Sequence, residues 1–556
     1  MTGTKIIRGV QEAHHFQLLI KQILEAGLRY EPGREIVYRD LVRYDYLKLK
    51  ERIGRLANVL SGLGVGPGDT VAVLDWDSHR YLEAYFAVPM MGAIMHTVNV
   101  RLSPAQLLYT MRHAEDKVVL VNSEFIPLIE RISGELTSVR QFVLLTDEKT
   151  RPECTIEFAG EYEELLAEGR PDYDFEEFDE NSIATVFYTT GTTGEPKGVY
   201  FSHRQLVLHT LAITASVGAY QSQGRFRSDD VYMPLTPMFH VHAWGLPYMA
   251  TMLGVKQVYP GKYEPAMLLK LLLTEGVTLS HCVPTILHML VSSPVVKSVD
   301  LSKWKVIIGG AALPEGLADA TLKLGIDVYS GYGMSETCPV LTITYLTKEM
   351  LQSDLSSQVK YRIKTGIPVP FVDLRIVDEM GSEVAHDGKS VGEIVVRAPW
   401  LTQGYLKDDD MSRQLWRDGW LHTGDMANID REGYVEIVDR LKDMIKTGGE
   451  WVSSLEIESA LSQHEAVSEV AVIGLPSEKW GERPCAVAVL KPGFTGKVDG
   501  DALRAFLKKF VDEGVLNTWS VPDRIVFVDA IPKTSVGKMD KKKLRTDMAA
   551  SANSVK

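Results

Sequence analysis

The chain has 556 residues, with 60 basic and 73 acidic side chains and a net charge of −13. That length calls for several domains, or one large domain with a small one, and the 45% apolar content supplies a full core. The negative balance argues against a nucleic-acid surface, so any polyanionic substrate must find a local basic patch.

The N-terminus, Met1 to Arg8, has no apolar run behind it that would make a signal peptide. No stretch approaches the roughly 18–20 apolar residues of a spanning helix. The four cysteines, Cys154, Cys282, Cys338 and Cys485, are scattered and match neither a zinc spacing nor a dense disulfide framework. A reducing, cytoplasmic setting is expected.

In chain order, Thr70 to Leu74 reads as a β-branched strand, followed by a helix from Tyr81 to Val88 that ends at Pro89. Strands are expected at Lys117 to Val121, Phe142 to Leu145 and Ile183 to Phe187. Others are expected at Val231 to Met233, Val277 to Leu279 and Lys303 to Gly310. A helix from Thr285 to Val291 starts at Pro284. This alternation predicts large α/β layers. Near residue 370 the pattern changes to short strands, Phe371 to Val377, Gly392 to Arg397 and Gly433 to Val438, between Gly and Asp turns, which predicts a β-rich subdomain.

Asp439 to Asp443 is a charged break. Beyond it a helix is expected from Ser454 to Gln463, capped by Ser453 or Ser454, with Glu456 and Glu458 in its first turn. Strands at Val470 to Ile473 and Ala486 to Leu490, a helix at Ala502 to Phe510 and a strand at Ile525 to Val528 complete a small α+β domain. The division is therefore expected at 1–440 and 441–556.

Five segments carry chemistry. Tyr188 to Gly198, Tyr-Thr-Thr-Gly-Thr-Thr-Gly-Glu-Pro-Lys-Gly, follows a strand and combines four threonines, three glycines and Lys197. Glycines let backbone amides approach an anion, and the hydroxyls and lysine add donors. It departs from the Walker A pattern, because Gly194 is followed by Glu-Pro-Lys. In Tyr329 to Thr337, Tyr332 suits stacking on a base, and Glu336 suits holding Mg²⁺ beside phosphates. In Trp420 to Asp425, the carboxylate after a Thr-Gly turn suits the two hydroxyls of a ribose. In Pro532 to Asp540, Lys533 and Lys538 flank a Gly/Ser turn. Lys541 to Lys543 make a solvated basic surface the default there. His240 and His242, in Pro237 to Trp244, stand among large apolar residues with no third ligand nearby, so pocket lining or core fits them better than metal.

Together with Asp439 to Glu450, these segments resemble the adenylate-forming superfamily of acyl-CoA synthetases, luciferase and peptide-synthetase adenylation domains, in that family's order and over nearly the whole chain. The resemblance implies a large domain of α/β and β-rich subdomains with a small mobile α+β domain behind it. It implies ATP, Mg²⁺ and coenzyme A. Thr189, Thr190, Gly191, Thr192, Thr193, Gly194 and Lys197 would form the phosphate loop. Gly310, Ala311, Ala312, Tyr332, Gly333, Met334 and Ser335 would line the nucleotide pocket, Asp425 would take the ribose, and Arg440 would follow the last large-domain strand. Glu336 would be the magnesium-associated acid, Lys442 the hinge, and Lys538 the lysine of adenylation. Lys446 would serve the second half-reaction from the opposite face of the small domain, with Gly448, Gly449, Glu450 and Trp451 beside it.

Phe239, His240, Val241 and Trp244 correspond to walls of the acid pocket. The wording Lys446-Thr-Gly-Gly-Glu-Trp-Val-Ser-Ser454 is close to bacterial medium-chain fatty-acyl-CoA synthetases. The expectation is an acyl-CoA ligase for a monocarboxylic acid, medium-chain before aromatic or alicyclic. A non-catalytic nucleotide-binding regulator is the alternative from another class, and a homodimer is compatible with the resemblance.

Overall fold

The computed structural model describes residues 9–189, 195–219, 225–448, 450–534 and 539–553. The large domain is α/β. Its first sheet has seven strands, ordered Phe158–Glu161, Gln141–Leu145, Asp116–Asn122, Thr70–Leu74, Ile94–Thr97, Ile183–Thr189 and Lys197–Ser202. All neighbours run parallel except the last pair, which is an antiparallel hairpin. Parallel strands buried on both faces read as continuous apolar runs, and Thr70–Leu74 is buried at every position.

A second sheet has nine strands. Its central run, Asp327–Gly333, Lys305–Ile308, Leu279–Cys282, Val231–Pro234, Lys256–Tyr259 and Glu35–Tyr38, is parallel. The helix His79–Met90 is buried throughout between elements of both sheets and carries Pro89 in its last turn, so it ends two residues beyond the expected Val88. Ser78 caps it by accepting a hydrogen bond from the Tyr81 amide at 3.1 Å. The β-rich part follows as expected: Asp373–Val377, Gly392–Arg397, Trp416–Arg417, Trp420–Ile429 and Val435–Arg440 form an antiparallel five-stranded sheet.

The small α+β unit has its own sheet, from Ile445–Thr447 to Arg524–Phe527, covered by helices Ser454–Ser462, Gly500–Asp512 and Lys541–Asn553. It has its own apolar core around Ile457, Leu461, Val472, Leu503 and Leu507. Ser453 caps the first of these helices, and Glu456 occupies its first turn. Glu458 lies two residues further in and does something else. It accepts from the Val472 amide at 2.7 Å and pairs with Lys541 at 2.7 Å. Lys541, expected on a solvated surface, is therefore largely buried, with its ammonium also 2.6 Å from the Ser454 hydroxyl. Nearby acids and a hydroxyl offset the cost of burying that ammonium.

Candidate active site

The C-terminal ends of parallel strands are where α/β sheets place ligand sites. Here the strands Lys305–Ile308 and Asp327–Gly333 end at one cleft of about 680 Å³, counted with its open mouth. One wall is aliphatic: Ile213 and Val217 from the helix His203–Ala219, Leu246, Met249, Ile307 and Ile343. His240, Val241 and Trp244 form a second wall, and Gly309, Gly310, Tyr332, Gly333, Met334 and Ser335 form the rim. A Cβ on Gly333 would stand 1.9 Å from the Pro339 carbonyl oxygen, so only glycine lets these two strands approach there. Phe239 is buried without lining the cleft, and Ala311 and Ala312 are exposed just outside it.

The second wall has an unusual backbone. Val241, His242, Ala243 and Trp244 have φ of 48°, 55°, 46° and 59°, and Gly245 follows at 77°. Each non-glycine residue in this left-handed region costs about 1–2 kcal/mol, so the surroundings must hold the turn in place. Its interior residue His242 is fully buried among Tyr85, Phe187, Phe201 and Tyr248, and neither ring nitrogen has a hydrogen-bond partner. Burial pushes its pKa down to about 3, so it is a neutral core histidine. Among the described residues no group of three or more His, Cys, Asp or Glu is placed to hold a metal. Trp244 turns its ring toward the cleft, 4.9 Å from the His281 ring, and its edge would meet a Cβ on Gly309 at 2.9 Å.

At the rim, three residues from distant segments meet. Tyr332 donates to Asp425 Oδ2 at 2.6 Å, and the Arg440 Nε lies 3.0 Å from Asp425 Oδ1. Asp425 and Arg440 are register partners on adjacent strands, which sets that pair by backbone alone. Burial and the Asp425 carboxylate both hold the Tyr332 phenol well above its usual pKa, so it stays a donor.

A second constellation joins the stem of the Ile183–Thr189 and Lys197–Ser202 hairpin to Glu336. Thr189 and Lys197 face each other at the end of the hairpin. The Lys197 ammonium lies 4.7 Å over the Tyr405 ring, and Tyr405 donates to Glu336 Oε1 at 2.7 Å. Tyr405 was not legible in the sequence as a site residue, because nothing in its local wording marks it. Thr190, Gly191, Thr192, Thr193, Gly194, Gly449 and Lys538 lie outside the described residues.

The small-domain residues form a separate group. Lys446 and Trp451 are register partners on the hairpin Ile445–Thr447 and Glu450–Val452, both exposed, with the ammonium 5.0 Å from the indole. The Gly448 amide donates to the Trp480 carbonyl at 2.8 Å, and Glu450 is exposed beside Trp451. Among the described residues, Lys446 makes no hydrogen bond or ion pair to Glu336 or Asp425. Lys442 sits in the exposed turn between the strands Val435–Arg440 and Ile445–Thr447, where the Met444 amide closes back on the Arg440 carbonyl at 2.9 Å.

Residues 24–406 match the AMP-binding enzyme family, and residues 456–538 match the AMP-binding enzyme C-terminal domain. The chain belongs to the AMP-binding enzyme family, and within it is an enzyme of the acyl-CoA ligase type. It is 43% identical over 536 residues to a long-chain-fatty-acid–CoA ligase of Thermus thermophilus, covering 95% of each chain. It is 39% identical to a 3-methylmercaptopropionyl-CoA ligase of Ruegeria lacuscaerulensis, covering 95% of this chain and 97% of that one. Its fold matches the crystal structure of an anthranilate CoA ligase in complex with anthranoyl-AMP, with a TM-score of 0.84, 26% identity, and coverage of 96% and 98%. ATP-dependent activation of a carboxylic acid is thus its chemistry, and these relatives differ in the acid.

Proposed function

We propose that the chain converts a medium-chain monocarboxylic acid, ATP and coenzyme A into acyl-CoA, AMP and pyrophosphate. The carboxylate attacks the α-phosphorus of ATP and expels pyrophosphate. The coenzyme A thiol then attacks the acyl carbonyl, and AMP leaves. The observation that carries the choice of acid is the cleft wall: aliphatic side chains from four segments, and no lysine or arginine among the described lining residues to pair a second carboxylate. The wording from Lys446 to Ser454 supports the same reading.

The first step brings two anions together, so its barrier is largely one of charge and alignment. Lys197 and the Thr189–Gly194 segment would take the phosphates, and Asp425 the ribose. Glu336 suits Mg²⁺ as one hard oxygen donor, with phosphate oxygens needed to complete the shell. Bound there, the ion would neutralise phosphoryl charge. Tyr405, kept neutral by burial and by Glu336, orients that carboxylate. The test is a panel of acids of graded length and ring type, with ATP and coenzyme A, read for AMP and thioester. A preference for benzoate-like acids would replace this reading with the aromatic one. ATP binding without pyrophosphate exchange on any acid would replace it with a non-catalytic regulator.

We place the domain boundary at 440/441 and the hinge at Lys442. Lys442→Pro fixes φ and removes a backbone donor. Adenylation is expected to persist while thioester formation collapses, measured as separate half-reactions. Unchanged overall turnover would show that residue 442 does not carry the rotation.

Trp244 is expected to gauge chain length. Each further buried methylene contributes about 0.8 kcal/mol, or roughly fourfold. Trp244→Ala should therefore move the kcat/KM preference toward longer acids by more than one carbon. A core role would instead lower stability and leave the ranking of acids intact. A folded variant that ranks a C4-to-C14 series as the parent does would remove Trp244 from this role.

A further inference from the structure

The left-handed turn that carries Val241 and Trp244 is held from outside, and one of its fastenings comes from the other sheet. Asp77 lies in the loop after Thr70–Leu74 and is 3% exposed. Its Oδ1 accepts from the Met238 amide at 2.8 Å, and its Oδ2 accepts from the Tyr263 hydroxyl at 2.6 Å. Its own carbonyl accepts from the Gly261 amide at 2.8 Å. One residue of a loop that leaves the seven-stranded sheet thus ties two loops of the nine-stranded sheet.

Met238 is two residues ahead of His240, where the cleft wall begins. Its carbonyl accepts from the Tyr85 hydroxyl, and the next carbonyl, Phe239, accepts from Thr97 Oγ1 at 3.1 Å. Within the segment the His240 amide donates to the Pro237 carbonyl and the Ala243 amide to the His240 carbonyl, both local bonds. A run of four left-handed residues is not a backbone minimum, so where it sits depends on how its entry is held.

We infer that Asp77 is a positioning residue for the acid pocket: by fastening Met238 it sets where Val241 and Trp244 stand, and so which acids the cleft accepts. This rests on the proposed acyl-CoA ligase reading. Burial pushes the Asp77 carboxyl up to about 7, while Tyr263 and the Met238 amide pull it down. Either protonation state keeps an acceptor for the amide, because a protonated oxygen can donate to Tyr263 instead.

The experiment is the ranking of straight-chain acids from C4 to C14 by kcat/KM, with KM for ATP and thermal stability measured on the same preparations. Asp77→Ala is expected to change the ratio of the longest to the shortest acid about fivefold or more, raising KM for the acid while KM for ATP holds. Asp77→Asn keeps an oxygen for the Met238 amide and is expected to return the ranking to the parent's. Tyr263→Phe removes only the other bond and is expected to lower stability with the ranking unchanged. If Asp77→Ala does not fold, Asp77→Ser and Thr97→Val loosen the same entry and carry the same expectation. Folded variants at 77 and 97 that keep the parent's ranking, or an Asp77→Asn ranking as altered as that of Asp77→Ala, overturn the inference. A parent protein that releases no pyrophosphate with any acid fails the ligase reading itself, which is a different result.

Discussion

Lys538→Ala is expected to slow acyl-adenylate formation a few hundredfold while leaving thioester formation from supplied acyl-adenylate largely intact. A positioned charge lost from a transition state costs about 3–4 kcal/mol, which is that factor in rate. The motif Pro532 to Lys538 stands at the far end of the C-terminal family match, which closes at residue 538. Lys446 is on the hairpin at the start of the small domain, 92 residues earlier in the chain. The proposed reading assigns them to two different steps, one in which pyrophosphate departs and one in which AMP does. The check is single-turnover measurement of each half-reaction. Equal losses in both would end the division of labour between the two lysines.

Arg52→Met is expected to cost about 3–5 kcal/mol of stability with little change in the chemistry of the molecules that remain folded. Glu83 is wholly buried in the helix His79–Met90 and accepts from Tyr44 and Tyr162 at 2.6 Å each. Arg52 reaches it through Nε at 2.6 Å and Nη2 at 3.2 Å, and bridges to Glu163 through both terminal nitrogens at 2.8 Å. Removing the guanidinium leaves a buried carboxylate with two neutral donors and no cation from Arg52. Denaturant unfolding measures the loss. The double variant Arg52→Met with Glu83→Gln should recover part of it, because the uncompensated charge is then gone as well. A single variant within 1 kcal/mol of the parent would show that the tyrosines alone satisfy Glu83.

The two-domain architecture was legible because its signals are local. Apolar runs closed by turn residues marked Thr70–Leu74, Lys303–Gly310 and Gly392–Arg397, and the observed strands fall on or within them. The Ser453 cap was legible for the same reason, since a cap depends on residues within one turn. In the last run of lysines, Lys542 and Lys543 are exposed as expected, and Lys541 departs for the opposite reason. Charge in sequence says solvent, but Lys541 is drawn inside by Glu458 and Ser454, which stand 83 and 87 residues away in the chain.

The site divides in the same way. The family-like motifs at Tyr188 to Gly198, Gly331 to Glu336 and Trp420 to Asp425 are contiguous, so the sequence alone is enough to single them out. That Tyr332, Asp425 and Arg440 meet, that Tyr405 holds Glu336, and that Asp77 holds Met238 are contacts across 161 residues or fewer that no local pattern records. The cleft wall is the clearest case. Ile213, Val217, Met249 and Ile343 read individually as ordinary core residues, and only the stacking of strands and helices turns their side chains toward one space. Local wording determines which chemistry a chain can perform, because reactive groups need their neighbours close. Which acid enters is decided by the shape of a cavity, and a cavity exists only once distant segments have packed.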